Sequence, residues 1–490
     1  MTHGPKGVEW RRFLPGNPKA GTDPIPTPVR LSNLSVAAVL ERELHPTQLL
    51  VLSFAAAIFG GAALLMTPWA TTGPPLGFVD ALFTATSATC VTGLIVVDTG
   101  TAFTRFGQGV ILALIQLGGL GIMTYSSVFL LLAGRGLSFR GEALVEETLG
   151  RKHRTSPRRL VRDVFRYTML IEAAGAAVLY VAFRRVHPWD EALWSAVFHS
   201  VSAFCNAGFS LYATSFVAFR GDWLLNLTIM LLITLGGLGF LVLEDLADAW
   251  ADRRAGRPAR LGLHTKVVLA TSAVLTFGGA AGVWFFEAPN TLAGLPWHEQ
   301  VLASLFQSVT ARTAGFNTLD YGSLTNTTLF FTILLMFVGA SPGSCGGGIK
   351  TTTFAVVTGL FRDRLRARER VSLFRRTLPE ATVARAVSLL MASFAFVTLV
   401  IFALLATEIG PVPHRSGGGT FLEIFFEAVS AFGTVGLSTG ITPTLSTAGR
   451  LLVTFTMFVG RVGPLTLAIA VGRKREPGRF LYAEENLMVG

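Results

Sequence analysis

Long stretches without a charged side chain alternate with short, strongly charged ones along this sequence. Six stretches of 18 to 28 residues contain no Asp, Glu, Lys or Arg. They are 49–66, 107–134, 223–243, 267–286, 324–349 and 386–407. An α-helix needs roughly 17–25 apolar residues to cross a bilayer, so each stretch predicts a spanning helix. Two further spans, 160–185 and 451–472, qualify with a few internal charges. The pattern predicts an all-α integral membrane protein.

A shorter apolar segment follows every second span, and this happens four times. These segments cover about 78–89, 190–204, 297–311 and 420–432. They are too short to cross a bilayer and are typical of half-helices that re-enter the membrane. The chain is therefore predicted to hold four parallel units of helix, half-helix, loop and helix. The predicted pore repeats are 46–133, 160–250, 264–360 and 382–472, between cytoplasmic tails at 1–45 and 473–490.

A six-residue phrase inside the half-helices supports this division. The pattern Phe-x-[Ser/Ala]-[Thr/Val]-[Ser/Thr]-Ala begins at Phe83, Phe198, Phe306 and Phe426. A glycine follows each phrase after four or five residues: Gly93, Gly208, Gly315 and Gly436. Recurrence at near-equal spacing indicates an internal repeat, here with pseudo-fourfold symmetry about one axis along the membrane normal. Non-helical backbone at membrane depth must face protein or water, so the four loops are expected to line one pore.

The distribution of positive charge orients the chain. The formal net charge is +11, but 32 of the 41 Lys and Arg fall in five segments, at 1–42, 134–166, 251–266, 361–385 and 472–479. Every second connection is therefore basic, which predicts that both termini are cytoplasmic. Anionic inner-leaflet lipid accounts for this charge, and no nucleic-acid partner is expected. Three cysteines provide no disulfide framework and are interpreted as small buried residues.

The glycine loops carry the candidate ion chemistry. Backbone carbonyls from a ring of four segments can replace the water around a cation, and glycine reaches positive φ at low cost. The predicted filter residues are Cys90, Val91, Thr92, Gly93, Cys205, Asn206, Ala207, Gly208, Arg312, Thr313, Ala314, Gly315, Gly433, Thr434, Val435 and Gly436. Arg312 is expected to pair with a carboxylate behind the filter rather than to face the ion path.

Acidic residues near the loops favour cations or serve the fold alone. Asp80, Glu191, Glu299 and Glu423 stand near the starts of the half-helices, where ordinary N-terminal helix stabilisation is the simpler interpretation. Asp98 and Asp320 each follow their glycine by five residues. They are candidates for an acidic vestibule that concentrates cations, or are simply exposed loop carboxylates.

The outgoing helix of the third unit contains residues that cannot stay helical. Five glycines and a proline fall within 339–349, which predicts a mid-membrane gate, with a static kink as the alternative. A phosphate-binding loop is not favoured, because Lys350 follows Ile349 rather than glycine. The candidate gate residues are Gly339, Ser341, Gly343, Ser344, Gly346, Gly347, Gly348, Lys350 and Arg461.

Two buried charges stand out in the predicted spans. Arg461 lies ten residues inside the last span, where an arginine is costly and usually functional, and the carbonyls of 339–349 are its expected partners. Glu172 lies inside span 160–185, and its partner does not follow from the sequence.

These features together resemble the Trk/Ktr/HKT superfamily of potassium transporters. The resemblance rests on Arg312-Thr313-Ala314-Gly315-Phe316-Asn317, on the gate run Ser341 to Thr351, and on the closing run Tyr482 to Gly490, and it covers about 46–490. The Ktr-type branch is favoured, since the additional N-terminal helix pair of the Trk-type branch is missing.

The resemblance implies potassium uptake across the plasma membrane, with K+ at filter carbonyls near the four glycines. It also implies a homodimer docked on a separate cytoplasmic nucleotide-binding regulatory ring. Gly93 stands where a serine is associated with sodium selectivity, which favours potassium. Sodium as an activating or coupled ion stays open, and no organic cofactor is expected.

Other functions compete with a gated potassium pathway. A sodium-selective or non-selective cation channel would use the same fold. An alternating-access solute transporter is less compatible, because such folds use inverted or paired repeats and discontinuous spanning helices. A membrane enzyme would need a converging acid, base or metal constellation, and the sequence offers none.

Overall fold

The computed structural model describes residues 46–120, 157–411, 413 and 419–464. The two predicted tails, residues 121–133 of the first predicted repeat and the end of the predicted last span lie outside these ranges. The described residues are mostly helical and belong to one compact unit, residues 44–490.

The same order of elements occurs four times along the chain. A long helix is followed by a short half-helix, a glycine loop and a returning helix. The helices of the first two occurrences are α1 Pro46–Leu65, α2 Phe78–Thr89, α3 Thr99–Ala102, α4 Arg105–Gly119, α5 Pro157–Phe183, α6 Trp189–Phe204, α7 Trp223–Leu238 and α8 Phe240–Arg254. Those of the last two are α9 Leu263–Glu287, α10 Trp297–Thr310, α11 Asn326–Phe337, α12 Thr351–Leu365, α13 Glu380–Leu404, α14 Thr420–Gly433 and α15 Thr447–Val462.

A few small elements connect these helices. Three 3₁₀ turns cover Val217–Phe219, Tyr321–Ser323 and Thr442–Thr444, and a π turn at Leu405–Ile409 extends α13. Between α12 and α13 a short hairpin pairs β1 Ser372–Leu373 with β2 Arg376–Thr377 in antiparallel register.

Several helices have the length and composition of membrane spans. Among the described residues, Val161–Phe183, Leu263–Glu287 and Glu380–Ile409 are long and apolar enough to cross a membrane. They leave large apolar side chains exposed, for example Phe277 and Phe402 at 68% and 72%. Such exposure is costly in water and costs nothing against lipid tails, which fits a membrane protein.

The second returning helix departs from the prediction. A continuous span over 223–250 was expected, but α7 and α8 meet at an angle of 100°. Gly239 separates them with φ +90°, a conformation that L side chains rarely adopt. The run Gly236-Gly237-Leu238-Gly239 is the sequence signal for this break, and it lies inside a stretch chosen only for its lack of charge.

The half-helices close the arrangement into a ring. Each one packs against the first long helix of its own occurrence and against the returning helix of the preceding one, and all but α10 also pack against their own returning helix. For the first half-helix, α2, that preceding partner is α15, the last described helix. The first and the last occurrence of the repeated order therefore share an interface.

Candidate functional site

The four glycine loops share one backbone conformation. Gly93, Gly208, Gly315 and Gly436 have φ between +71° and +95°. The residue two positions earlier is also at positive φ in every loop: Val91, Asn206, Thr313 and Thr434, at +49° to +74°. Non-glycine residues seldom adopt this region, and when they do the surrounding structure holds them there. The same costly conformation four times indicates that the loops are built to a common plan.

The loops also touch one another in a closed sequence. A Cβ added to Gly93 would overlap the carbonyl oxygen of Ala207 in the second loop. The same relation takes Gly208 to Ala314, Gly315 to Val435, and Gly436 back to Thr92. Each glycine thus lies against the residue that precedes the next glycine, and the fourth loop returns to the first.

The positions that recur in all four copies of the six-residue phrase explain how the loops are held. The phrase's phenylalanine, its hydroxyl residue and its final alanine are fully buried in all four copies. The hydroxyl accepts from the loop glycine in two copies, Ser87 from Gly93 N and Ser430 from Gly436 N, both at 3.1 Å. In the others it donates to the carbonyl after the glycine, Ser202 to Phe209 and Thr310 to Phe316. The phrase is therefore an anchor for the loop.

The variable second position of the phrase was missed by the sequence analysis. In three copies this residue is buried and holds the segment after the glycine. His199 Nε2 accepts from Leu211 N (3.2 Å), and the Gln307 amide bonds to the Tyr321 hydroxyl (2.7 Å). Glu427 accepts from Ser438 Oγ (2.9 Å) and from Thr442 Oγ1. Because the three side chains differ chemically, a search for repeated residue types could not find them.

The glycine-rich segment 339–349 lies directly against two of the loops. Gly347 N donates to Thr434 Oγ1 (3.0 Å), and a Cβ on Gly346 would overlap Thr313 Oγ1. Its two ends are tied together, since Gly339 N donates to Ile349 O (2.9 Å). The segment is thus a non-helical excursion between α11 and α12 that contacts the third and fourth glycine loops.

The same segment is bonded to the break in the second returning helix. Ser341 N donates to Gly237 O and Cys345 N donates to Gly236 O, each at 3.1 Å. In the opposite direction, Phe240 N donates to Gly343 O (3.1 Å). The unexpected bend at Gly239 therefore leaves carbonyls of α7 and an N–H of α8 outside the helical hydrogen-bond pattern, and the segment bonds to them.

Two basic side chains contact this segment, the buried Arg461 and the partly buried Lys350. Arg461 Nη1 donates to Cys345 O, and Nη2 donates to Gly118 O in the first returning helix. Lys350 Nζ donates to Gly346 O (2.7 Å). The carbonyls of Cys345 and Gly346, which make no helical hydrogen bond in this non-helical segment, thus accept from basic side chains. Arg461 also joins the segment to the first unit through Gly118 O.

The remaining gate candidates hold the segment's shape. Ser344 Oγ donates to Ser341 O (2.6 Å), and Thr351 Oγ1 donates to Ser341 Oγ (3.0 Å). Gly343 and Gly348 have positive φ of +76° and +67°, which the turns of the segment require. These contacts are internal, so they maintain the excursion rather than attach it to a loop.

One filter expectation was wrong. Arg312 does not pair with a carboxylate among the described residues; its Nη1 donates to the carbonyl of Ser272 in α9 (3.0 Å). The side chain is 6% exposed and turns away from the other three loops toward its own long helix. A backbone carbonyl supplies a partner without the cost of burying a second charge.

The acidic residues divide between capping and ion pairing. Asp98 accepts from Thr101 N (2.8 Å) and Asp320 from Gly322 N (3.2 Å), so each caps the short helix that follows it. At the starts of the half-helices, Asp80 pairs with Arg450 (2.6 Å) and Glu299 with Arg220 (3.4 Å). The arginines largely neutralise the charges of Asp80 and Glu299, which removes most of the cation attraction expected from these two residues.

Glu172 has partners that sequence could not indicate. Its carboxylate accepts from Gln116 Nε2 (3.2 Å) in α4, and Cys205 Sγ lies 3.7 Å away in the second glycine loop. All three cysteines are unpaired, with Cys90 and Cys205 buried and Cys345 partly buried. No group of three or more potential metal ligands occurs within the described ranges.

Comparison with known proteins identifies the family behind this geometry. The TrkH model, described as a cation transport protein, matches residues 40–480. The chain belongs to this family. It is a cation-transport family rather than an enzyme family.

Relatives and a solved structure agree with this assignment. The chain is 41% identical to Ktr system potassium uptake protein B of Bacillus subtilis, over 91% of this chain and 97% of that protein. It is 35% identical to the potassium/sodium uptake protein NtpJ of Enterococcus hirae, over 92% and 98%. The crystal structure of the potassium transporter TrkH from Vibrio parahaemolyticus shares the fold with a TM-score of 0.68 at 16% identity, covering 90% of this chain and 86% of that one.

Proposed function

We propose that this protein takes up potassium through a gated pore, with the four glycine loops as its selectivity filter. The observation that carries the proposal is the closed ring of loops, in which each glycine lies against the carbonyl that precedes the next glycine. A ring of backbone carbonyls is the arrangement that replaces the hydration shell of a permeating cation. The predicted repeats 46–133, 160–250, 264–360 and 382–472 are the four walls of this pore.

The polarity of the half-helices favours a cation. Each half-helix ends at its glycine loop, so the partial negative charge of four helix C-termini is directed at the ring. This contribution is intrinsic to the backbone and does not depend on acidic side chains. It therefore survives the pairing of Asp80 and Glu299, and Asp98 and Asp320 are left as the candidate vestibule charges.

The segment 339–349 is proposed as the gate. It contacts Thr313 and Thr434 on the side of the ring where the half-helices end, and Arg461 and Lys350 hold its carbonyls. A cation leaving the ring on that side meets these two positive charges and the segment itself. Displacing the segment is the simplest way to open the path, so shortening 341–347 should raise flux.

Several further properties are proposed on the resemblance and on charge. The protein is placed in the plasma membrane with both termini cytoplasmic, because every second connection is basic. It is proposed to act as a homodimer with a separate cytoplasmic nucleotide-binding regulatory subunit. Sodium is the second candidate substrate or coupled ion, since one relative is named for potassium and sodium uptake.

The test is cation flux into liposomes that contain only this purified chain. Potassium, rubidium and sodium uptake are compared at a set membrane potential. Potassium and rubidium uptake that excess unlabelled potassium blocks is the expected result, and equal sodium uptake would favour the non-selective alternative. If no cation moves, either the gate is closed or there is no pore, and the variant with a shortened 341–347 separates these two explanations. Flux in that variant indicates that the gate of the parent protein is closed, whereas absence of flux in both proteins overturns the pore.

A further inference from the structure

A small hairpin is fixed to the far end of the helix that follows the glycine-rich segment. The α12 helix begins at Thr351, one residue after Lys350, and the β1–β2 hairpin packs on its last turns. Asp363 Oδ2 accepts from Ser372 N (2.9 Å), and Arg362 Nη2 donates to Ser372 O (2.6 Å). The Leu373 side chain covers Gly359, where a Cβ would lie 3.0 Å from it. Hairpin and helix are thus joined by charged hydrogen bonds and packing.

The tip of this hairpin carries residues that do not suit its backbone. Phe374 and Arg375 are both at positive φ, +49° and +60°, as a two-residue hairpin turn of the primed type requires. Asn-Gly is the usual choice, because a bulky L residue at positive φ is strained. Phe374 remains 53% exposed and Arg375 is exposed, so the fold gains little packing from either side chain. Both side chains are therefore available to contact a partner outside the fold.

Charge and exposure around the tip indicate the chemistry of that partner. Residues 361–377 contain seven arginines against two acidic residues, and one of those acids, Asp363, is buried in the joint with the hairpin. Three large apolar side chains are exposed beside them, Phe361, Leu365 and Phe374. Arginine next to exposed aromatic and aliphatic residues is typical of a surface that lies at a lipid headgroup layer.

The level of the hairpin in the membrane agrees with this. Gly359 is nine residues beyond Lys350, which corresponds to about 13 Å along a helix. The hydrocarbon core of a bilayer is about 30 Å thick, so half of it is about 15 Å. If the gate lies near the midplane, the hairpin packed on Gly359 lies at the inner headgroup layer.

We propose that the tip of the 372–377 hairpin binds anionic phospholipid headgroups and so holds α12 in a position that favours the open gate. The inference rests on the proposed function, because it takes 339–349 as the gate. Phe374 inserts between lipids, while Arg375 and Arg376 contact phosphate groups. Electrostatic attraction to an anionic leaflet is about 1 kcal/mol for each arginine near the surface, or about fivefold in binding.

The first experiment locates the tip without measuring transport. A nitroxide label is attached to F374C in the full-length protein, reconstituted in phosphatidylcholine vesicles with or without phosphatidylglycerol. With phosphatidylglycerol, collisions of the label with oxygen should rise and those with a water-soluble nickel chelate should fall. A label equally accessible to nickel in both vesicles overturns lipid binding and leaves the hairpin to a protein partner.

The second experiment tests the connection to the gate. Potassium flux should be several-fold higher with phosphatidylglycerol than without it, and the double variant R375Q/R376Q should lose this difference. R253Q/R260Q removes two exposed arginines from another predicted cytoplasmic connection and should keep it. Equal loss in both variants means a diffuse charge effect and overturns the role of the hairpin. If label insertion is observed but no variant conducts, it is the proposed function that fails rather than the lipid contact.

Discussion

The glycine loops and the returning helices beside them follow opposite rules. The four loops repeat positive φ at the same two positions, and in each the phrase's hydroxyl residue bonds to the loop backbone, as acceptor from the glycine N–H in two copies and as donor to the next carbonyl in the other two. The returning helices differ in every occurrence. The first is continuous over its described part, the second bends by 100°, the third contains the excursion 339–349, and the fourth carries Arg461.

A shared contact makes this difference informative. Gly118, Gly236 and Gly460 occupy one position in three returning helices, since a Cβ on each would overlap the carbonyl at the end of a half-helix. The next residue is Gly119, Gly237 and Arg461 respectively. The contact between the returning helix and the end of a half-helix is thus the same in three units, whereas the residue that follows the contacting glycine differs. Changes in the loops should therefore alter ion preference, whereas changes below them should alter the opening of the path.

The largest effect is expected from a side chain in the ring. In G93S the new Cβ would sit at positive φ and overlap the carbonyl oxygen of Ala207, so this carbonyl must move. We expect the preference for potassium over sodium to fall about tenfold, since a shift of 1.4 kcal/mol between two ions is enough. Competitive uptake of the two ions into liposomes measures it. G60S is the control, because a Cβ at Gly60 meets nothing within 4 Å. Unchanged preference in G93S would exclude this loop from the filter.

A gating effect of several-fold is expected below the ring. R461Q cannot reproduce the two-pronged contact with Cys345 O and Gly118 O, so the segment loses its tie to the first unit. Rubidium flux should rise while the preference among cations stays the same. R461K, with one donor group, should give an intermediate flux. Lower flux with altered preference would instead place Arg461 in the filter.

A smaller effect is expected where the segment meets the fourth loop. T434V keeps the branched shape but leaves the buried Gly347 N without its acceptor, which costs about 1 kcal/mol or more. The gate should open about fivefold more readily, as flux at fixed potential would register. T434S retains the hydroxyl and should behave as the parent protein does. Equal flux in all three proteins would show that this bond does not hold the gate.

The smallest effect compares two copies of the same bond. S87A and S430A each remove an acceptor 3.1 Å from a loop glycine's N–H. Each should lower the midpoint of thermal unfolding by a similar, small amount, since one buried hydrogen bond contributes about 1 kcal/mol. A large difference between the two midpoints would contradict equivalent anchoring in the first and fourth loops.

The sequence predicted those features that depend on composition or on exact repetition. Long uncharged stretches located the helices, and the repeated phrase located the loops, because both are local properties of the chain. Arg312 was paired wrongly because its acceptor, Ser272 O, is 40 residues away on a helix that carries no signal for it. His199, Gln307 and Glu427 were not predicted, because each bonds to the segment after its loop glycine through a different chemical group. The bend at Gly239 was hidden because hydropathy does not report backbone geometry.

The closed ring has a consequence for the synthesis of the protein. Its last joint connects residues 343 positions apart in Arg461 and Gly118, and 370 positions apart in Arg450 and Asp80. At about 5–20 residues per second, a ribosome needs tens of seconds to make the intervening chain. During that interval three quarters of the ring can be inserted with one wall missing. If the ring is the filter, as proposed, a nascent or truncated chain lacks one of its four walls, and conduction should begin only after α15 has packed against α2.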